Sequence, residues 1–351
     1  PVGMLCRMQP KNYALPLMVL SLAATSVAHA RGTIDKVDIK GLDKGDDAAI
    51  IENIQESLSL YDTIGKEQGE SRLEYLLSQA ERQTRQALEP FGYYNPVITV
   101  EAPRENEHVR VLIHVDKGTP VTVRREHIDI TGPAMYDQYL QDDLAAFKPR
   151  KGQRFEHTQY EASKITITRR LAERGYFDAD YTQRQVQITR ADNAADIDLT
   201  WDSGRRYNMG PVRFEQDYFV DKLFDPLVYW EQGSYFHEGK LDRLRQSLTK
   251  LDYFSVIDIQ PRPDQADENG EVPVDVKLTR AKRTIYTAGL SYGSESGPGV
   301  RGGIERRFLN NRGHKMNTQL DYAQKRKSLV TSYRIPAFNW LDGWYTFAAS
   351  A

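Results

Sequence analysis

A strict alternation of apolar and polar residues begins near position 284 and continues towards the end of the chain. One face of the first run carries apolar or aromatic residues, namely Tyr286, Ala288, Leu290 and Tyr292. The opposite face carries small and polar residues, among them Gly289 and Gly293. Further runs cover residues 300–308, 316–322 and 329–335, and a fifth begins near Trp344. Because successive side chains of a strand point to opposite faces, this region predicts an antiparallel sheet with one apolar face.

A different pattern recurs three times between residues 31 and 280. Each copy contains apolar residues at helical spacing, followed by a break residue and an aromatic pair. The signature positions of these copies are Gly92, Tyr93, Gly175, Tyr176 and Tyr253. Glycine suits the left-handed backbone that follows a helix end, whereas Asp252, the break residue of the third copy, adopts it less readily. The pattern predicts three related domains, of which the third departs from the others at its break residue.

Alternating stretches flank the helices of every copy. The stretches that precede the helices are residues 37–41, 128–132 and 212–215. The stretches that close each copy are residues 111–115, 197–201 and 272–278. Each copy therefore predicts the order β-α-α-β-β, which is an α+β fold. The resulting division is residues 31–118, 119–204 and 205–280 for the three repeats and 281–351 for the alternating region.

The repeats are acidic and the alternating region is basic. Residues 31–280 carry 34 Lys and Arg against 45 Asp and Glu, a net charge of −11. Residues 281–351 carry 11 Lys and Arg against 4 Asp and Glu, a net charge of +7. A shift of this size indicates that the two regions lie in different surroundings. The whole chain has a formal net charge of −2, so no global basic field favours nucleic acid as a partner.

The first thirty residues are typical of a secretory signal peptide. Arg7 and Lys11 form its positive start, residues 14–24 are apolar, and an A-x-A cleavage site follows at residues 28–30. We expect cleavage after Ala30, with Ala28 and Ala30 as the recognition residues. Cleavage removes Cys6, the single cysteine of the chain, so the mature protein would hold no disulfide.

Two short motifs resemble enzyme signatures but lie in the alternating region. Residues 289–293 match the G-x-S-x-G nucleophile motif and residues 297–302 match G-x-G-x-x-G. Both motifs require a helix to begin at that point, and period-two alternation argues against one. The seven histidines are scattered, with only His108 and His114 near each other. We therefore predict no enzyme, no catalytic residue, no cofactor and no metal site.

The three repeats resemble POTRA (polypeptide-transport-associated) domains, and the alternating region resembles the first strands of a transmembrane β-barrel. The aromatic residues expected at the membrane interface are Phe338, Trp340, Trp344 and Tyr345. Three POTRA domains in front of a barrel are similar to the TamA-like family, the outer-membrane subunits of the translocation and assembly module. Residues 281–351 hold too few strands to close even an eight-stranded barrel, so we expect the native barrel to be longer.

The resemblance implies a non-enzymatic factor of the cell outer membrane whose POTRA region lies in the periplasm. It would aid the insertion and secretion of β-barrel or autotransporter clients. Its partners would be unfolded outer-membrane protein clients, outer-membrane lipid and an inner-membrane-anchored TamB-like protein. The first strand, residues 284–293, would form one side of a lateral seam, and its six residues named above would bind a client strand by β-augmentation. Two alternatives remain open: a two-partner-secretion pore that exports a polypeptide, and a soluble periplasmic polypeptide-binding module.

Overall fold

The computed structural model describes residues 31–295, 297–340 and 343–351. The predicted signal peptide and its cleavage residues, Ala28 and Ala30, lie outside the described residues. The described chain forms two compact units. One holds residues 31–87 and 97–116, and the other holds residues 88–96 and 117–351. No helix in the described part of the chain is both long and apolar enough to cross a membrane.

The first unit is a mixed sheet with two helices. Its elements are β1 (Arg31–Lys40), α1 (Ala48–Ser57), β2 (Glu67–Gly69), α2 (Glu70–Leu88), β3 (Val97–Glu101), β4 (Arg104–Glu105) and β5 (His108–Asp116). The sheet order is β2-β1-β5-β3, with β4 also paired to β5. β1 and β5 run parallel. Ile34 and Ile113 from the sheet and Ile54 and Leu76 from the helices are completely or almost completely buried.

The second repeat has the predicted order of elements. They are β6 (Thr122–Thr131), α3 (Gln138–Ala146), α4 (His157–Glu173), β7 (Asp180–Thr189) and β8 (Ala194–Asp202). β8 lies at the centre of the sheet, parallel to β6 and antiparallel to β7. Trp201 of β8 is 1% exposed and shares the core with Leu140 of α3 and Ile167 of α4. The helices therefore cover one face of a three-stranded sheet.

The third repeat differs from the prediction of two helices. Its elements are β9 (Asn208–Glu215), α5 (Glu238–Lys250), β10 (Phe254–Pro261) and β11 (Glu271–Arg280), in a sheet of order β10-β11-β9. Between β9 and α5 the chain forms a loop with a three-residue 3-10 turn, Asp225–Leu227, where the first helix was expected. Pro226 and Gly233 disfavour a long helix here, and the loop instead buries Phe219 and Phe224.

The five strands predicted after residue 280 are confirmed. They are β12 (Thr284–Gly293), β13 (Gly297–Arg306), β14 (Lys315–Ala323), β15 (Lys327–Ala337) and β16 (Gly343–Ser350), paired in sequence order and antiparallel throughout. The register aligns Leu290 with Val300 and Val300 with Tyr322, so apolar side chains line one face. The opposite face is polar and carries an ion pair of 2.5 Å between Arg301 and Asp321. Both enzyme-like motifs lie on strands, as their alternation predicts.

The third repeat and the following sheet share one aromatic core. Phe308 and Phe338, which lie outside the strands of the sheet, are 3% and 5% exposed and pack with Tyr253 of the repeat. Trp344 of β16 packs against the same cluster, 6.4 Å from the Tyr253 ring. The expectation that Phe338 belongs to a membrane-interface girdle is therefore wrong, because its ring is buried in this core. Trp344 is partly buried, and its place in a girdle stays a prediction. Tyr345 is exposed, and the side chain of Trp340 lies outside the described residues.

The turn between β13 and β14 is bound to the third repeat by polar contacts as well. The buried Tyr253 hydroxyl donates a hydrogen bond to the carbonyl oxygen of Gly313. The Arg307 guanidinium pairs with Asp252 at 2.8 Å, and the Val220 amide donates to the Asn311 carbonyl at 3.0 Å. The backbone of Ala281 closes the joint by donating to the Tyr253 carbonyl at 2.8 Å.

Replacing Tyr253 by Phe is expected to destabilise the chain by about 1–3 kcal/mol, because the buried Gly313 carbonyl loses its donor. The measurement is urea unfolding of the full chain in detergent, followed by tryptophan fluorescence. Tyr218→Phe is the matched control, since the hydroxyl of Tyr218 has no hydrogen-bond partner among the described residues. Equal free energies of unfolding for the two variants would show that the Tyr253 hydroxyl contributes nothing to this joint.

Candidate functional site

The first candidate site is the outer edge of β12. β12 pairs with β13 along its whole length, from Thr284 opposite Arg306 to Gly293 opposite Gly297. Among the described strands, no other borders β12. A strand edge with unpaired N–H and C=O groups is a template for another strand. The structure therefore places all six predicted client-binding residues on a strand that can accept a partner.

The apolar residues of β12 are strongly exposed. Tyr286, Leu290 and Tyr292 are 73%, 91% and 83% exposed, and Ala288 between them is exposed too. Their face continues across the sheet through exposed residues of the neighbouring strands, such as Ile304 and Leu320. A contiguous exposed apolar face of this kind marks a contact with lipid or with another protein.

No steric contact requires a glycine at position 289. A Cβ atom built on Gly289 would meet nothing within 4 Å. On Gly303 of the next strand, by contrast, it would lie 2.4 Å from the Thr287 hydroxyl oxygen. Glycine weakens a strand interior, so Gly289 lowers the stability of β12 without a packing reason. Gly293 ends β12 opposite Gly297, at the hairpin.

The POTRA-like sheets provide a second set of free edges. In each sheet, the beginning of the first strand is covered by a short segment that precedes a helix. The covering contacts pair Thr33 with Glu67, Thr122 with Arg154, and Asn208 with Tyr235. The opposite edges are β3, β7 and β10, which have no second partner strand among the described elements. β3, β7 and β10 are therefore among the edges that can receive an extended polypeptide.

The repeat-signature residues lie at joints in the chain. Gly92 and Gly175 have φ angles of 89° and 85°, and Asp252 also adopts the left-handed conformation with φ 55°. The Gly92 carbonyl accepts a hydrogen bond of 2.7 Å from the Val121 amide, and the Gly175 carbonyl accepts one of 2.8 Å from the Tyr207 amide. Gly175 therefore follows the end of a helix and also binds the start of the third repeat.

Both glycines are approached closely by a phenylalanine that the sequence analysis missed. A Cβ atom on Gly92 would lie 2.7 Å from the Phe155 carbonyl oxygen, and one on Gly175 would lie 2.7 Å from Cβ of Phe236. Phe155 and Phe236 each stand two residues before a helix, α4 or α5. This shared spacing was a usable signal, because it adds a further column to the repeat.

The signature tyrosines are buried in the protein interior rather than exposed to solvent. Tyr93, Tyr176 and Tyr253 are all buried. The neighbouring Tyr94 forms a 2.6 Å hydrogen bond to Nε2 of His157, the first residue of α4. Burial raises the pKa of Tyr94 to about 12 and lowers the pKa of His157 below its usual 6.5. A neutral His157 can accept this bond, whereas a protonated ring cannot.

Gly175→Ala tests the close approach. The substitution adds backbone strain of about 1–2 kcal/mol at a positive φ and about 1–3 kcal/mol from overpacking against Phe236. Gly152→Ala is the matched control, because Gly152 has φ 83° but nothing within 4 Å of its Cβ position. We expect urea unfolding, followed by near-ultraviolet circular dichroism, to show the larger loss for Gly175→Ala. The same loss in both variants would contradict a packing role for Gly175.

The lowered pKa of His157 predicts that the folded protein loses stability in mild acid. Because its pKa is lower in the folded state, the unfolded chain binds more protons below about pH 6.5, and stability falls as the pH falls. The His157→Gln variant should lose less stability than the unaltered protein between pH 7.5 and 5. His127→Gln, at an exposed histidine of β6, serves as control. If His157→Gln keeps the full pH dependence, the effect arises elsewhere.

The other titratable groups of the described chain do not converge on a site. His108 pairs with Asp35 at 2.9 Å on the surface, and this hydrogen bond raises the pKa of His108. Among residues 31–295, 297–340 and 343–351, no group of His, Cys, Asp and Glu side chains is arranged to hold a metal ion. The candidate sites in the described chain are therefore strand edges and grooves.

Family models match the two repeats nearest the N-terminus. Residues 36–117 match the POTRA domain described as TamA domain 1. Residues 123–203 match the POTRA model described as a surface antigen variable number repeat. A relative, the outer membrane protein assembly factor BamA of Nitratidesulfovibrio vulgaris, is 30% identical over 119 residues, which are 34% of this chain and 14% of that protein.

One solved structure has a similar fold. BamA from Haemophilus ducreyi lacking POTRA domains 1–3 superimposes with a TM-score of 0.55 at 17% identity, covering 65% of this chain and 42% of that one. The described chain therefore shares the fold of BamA-type proteins, in which POTRA domains precede a barrel. POTRA domains 3–5 of Haemophilus influenzae BamA give a TM-score of 0.40 at 21% identity, covering 71% of this chain and 97% of that one. That likeness is too low to add to the assignment.

The similarity covers only part of each related protein. The named relative is an outer membrane protein assembly factor. The chain spans 14% of the length of the curated BamA relative and 42% of the H. ducreyi BamA structure.

Proposed function

We propose that this protein assists the insertion and secretion of outer-membrane proteins, with the edge of β12 pairing with a strand of an unfolded client. The observation that carries the proposal is that β12 is paired on one side only, along all of Thr284–Gly293. Backbone hydrogen bonds to such an edge bind an extended chain irrespective of its sequence, and alternate side chains add selectivity.

The bilayer supplies a reason for the client to pair. Unsatisfied backbone groups cost several kcal/mol each in lipid, so a client strand at the membrane is strongly driven to complete its hydrogen bonds. A strand weakened at Gly289 can open and exchange partners more readily than a regular one. Folding of the client would then provide the driving force for its release.

We further propose a TamA-like role with autotransporters among the clients and a TamB-like protein, anchored in the inner membrane, as the partner of the first repeat. The match of residues 36–117 to the TamA domain 1 model supports this assignment. The edges β7 and β10 would receive client polypeptide before it reaches β12, since each is free along the described sheet.

The proposed organisation follows the sequence-based division. Residues 1–30 form a signal peptide that is cleaved after Ala30. Residues 31–118, 119–204 and 205–280 form POTRA domains 1, 2 and 3. Residues 281–351 form the first strands of the barrel, in contact with outer-membrane lipid through the exposed face that includes Tyr286 and Leu290.

Disulfide crosslinking of β12 to a client strand tests the function. Single cysteines at Thr287, Gly289 and Ser291, in a background with Cys6→Ser, should each crosslink to cysteines in the last strand of a β-barrel client during its assembly. Crosslinks are detected as mass shifts on non-reducing gels. We expect a register pattern, in which neighbouring positions on β12 favour neighbouring positions on the client.

A cysteine at Asn317 of β14 is the matched control. β14 is paired on both sides, with β13 and β15, so this position should give no client crosslink. Client crosslinks at Asn317 equal to those at Gly289 would indicate random collisions. Absence of crosslinks at all three β12 positions would refute the proposal.

A further inference from the structure

A groove with an unusual combination of side chains lies where the second repeat meets the third. It has a volume of about 410 Å³ and is formed by the turn at residues 133–139, the end of α4 and the beginning of the third repeat. Both repeats belong to the same compact unit. The volume falls within the roughly 300–1,000 Å³ of typical ligand sites. The groove is distant in sequence from β12, and its role does not depend on that of the strand edge.

Several tyrosine side chains around this groove are exposed to solvent. Tyr136, Tyr139 and Tyr235 are 84%, 59% and 63% exposed. Met135, next to Tyr136, is also exposed. Single exposed aromatics are ordinary, but a cluster around a concavity marks a place where another molecule docks. Tyrosine is also enriched where proteins bind polypeptides, because it offers a large rigid surface with a polar end.

One of the two arginines of the groove is already neutralised. Nε of Arg174 donates to Asp137 at 2.6 Å, and both side chains are largely buried. The same guanidinium lies 4.5 Å from the centre of the Tyr139 ring. Asp137 also accepts the Tyr139 amide as the cap of α3. This pair is therefore part of the wall, and it holds Tyr139 in place.

The second arginine is available. Arg206 lies 4.1 Å from the ring centre of Tyr235 and 5.6 Å from that of Tyr176, and its Nε donates to the Arg174 carbonyl at 3.2 Å. Among the described residues, no carboxylate lies within 4.0 Å of its guanidinium. A guanidinium that stacks on aromatic rings still offers a planar fork of N–H donors to a carboxylate.

A second cation without a carboxylate partner adds to the positive charge. Nζ of Lys240 donates to the Tyr235 carbonyl at 2.7 Å and to the Ser234 hydroxyl at 2.9 Å. Burial and the charge of Arg206 lower the pKa of Lys240, as expected for a cation beside another cation. Tyr235 is therefore bordered by two positive groups, neither of which has a carboxylate within 4.0 Å among the described residues.

We propose that this groove binds an extended polypeptide segment in which a carboxylate stands one or two residues from an aromatic side chain. The carboxylate pairs with the outer N–H groups of Arg206 in the planar, two-bond geometry that arginine favours. The aromatic side chain packs on Tyr136 and Tyr139. A small anion would use Arg206 alone and leave the rings in water, whereas such a segment uses both features.

The test measures binding of a fluorescein-labelled peptide, Gly-Ser-Phe-Asp-Phe-Ser-Gly, to the full chain in detergent micelles by fluorescence anisotropy. Replacing the peptide's Asp by Asn should weaken binding about tenfold, the loss typical of one charge-assisted hydrogen-bonded pair of about 1.4 kcal/mol. Arg206→Gln should weaken binding of the Asp peptide by a similar factor and remove its preference over the Asn peptide.

Two variants control for folding and for general charge. Arg205→Gln removes a neighbouring exposed arginine that stacks on Tyr207 and does not line the groove, so binding should be unchanged. Tyr136→Ala alters a side chain too exposed to affect folding and should weaken binding of both peptides. Unfolding curves of all variants should coincide with that of the unaltered chain within error.

Three results would overturn the proposal. Equal weakening by Arg205→Gln and Arg206→Gln would show a diffuse charge effect. Equal affinity for the Asp and Asn peptides would show that no carboxylate is recognised. Binding of phosphatidylglycerol vesicles that depends on Arg206, together with no binding of the peptide, would assign the groove to lipid headgroups.

Discussion

The left-handed residue after the last helix of the second repeat is the constraint on which its joint with the third repeat depends. Gly175 has a positive φ, and its carbonyl accepts a hydrogen bond from the Tyr207 amide near the start of the third repeat. The same conformation brings the backbone within contact of Phe236, and a side chain at the glycine would fill that contact. The same backbone conformation therefore ends the helix and attaches the next repeat.

The third copy shows how the same constraint is met without glycine. Asp252 takes the left-handed conformation and pairs its carboxylate with Arg307. The cost of a positive φ at a residue with a Cβ is offset by a charge-assisted contact that glycine could not make. The departure seen in the sequence therefore marks the place where the chain passes from repeats to the sheet of β12–β16.

Local pattern made most of the fold predictable. Alternation located all five strands from β12 to β16, and the helical spacing of Leu241, Leu244 and Leu248 located α5. Pro226 and Gly233 were local signals against the first helix of the third repeat. The burial of Phe219 and Phe224 was not predictable in the same way, because their partners are distant in the sequence. Phe338 was misassigned for a related reason: its aromatic ring suits a membrane interface and a protein core equally well.

The two candidate sites also differ in how far the sequence alone predicts them. The edge of β12 follows from strand order and could be inferred from sequence, since the first strand of an antiparallel series has one sequential neighbour. The groove around Arg206 could not, because it needs the turn before α3, the end of α4 and a loop of the third repeat to meet. Arg206 stands beside Arg205 in the chain, and only tertiary structure distinguishes their surroundings.

The aromatic cluster around Tyr253 has a consequence for the order in which the protein folds during synthesis. Phe308, Phe338 and Trp344 are made after the third repeat, yet they complete its core. The second repeat draws its core from residues made before it ends and can close as soon as its last strand emerges. The core of the third repeat is therefore incomplete until β16 has formed, and we expect the repeat and the sheet to unfold together.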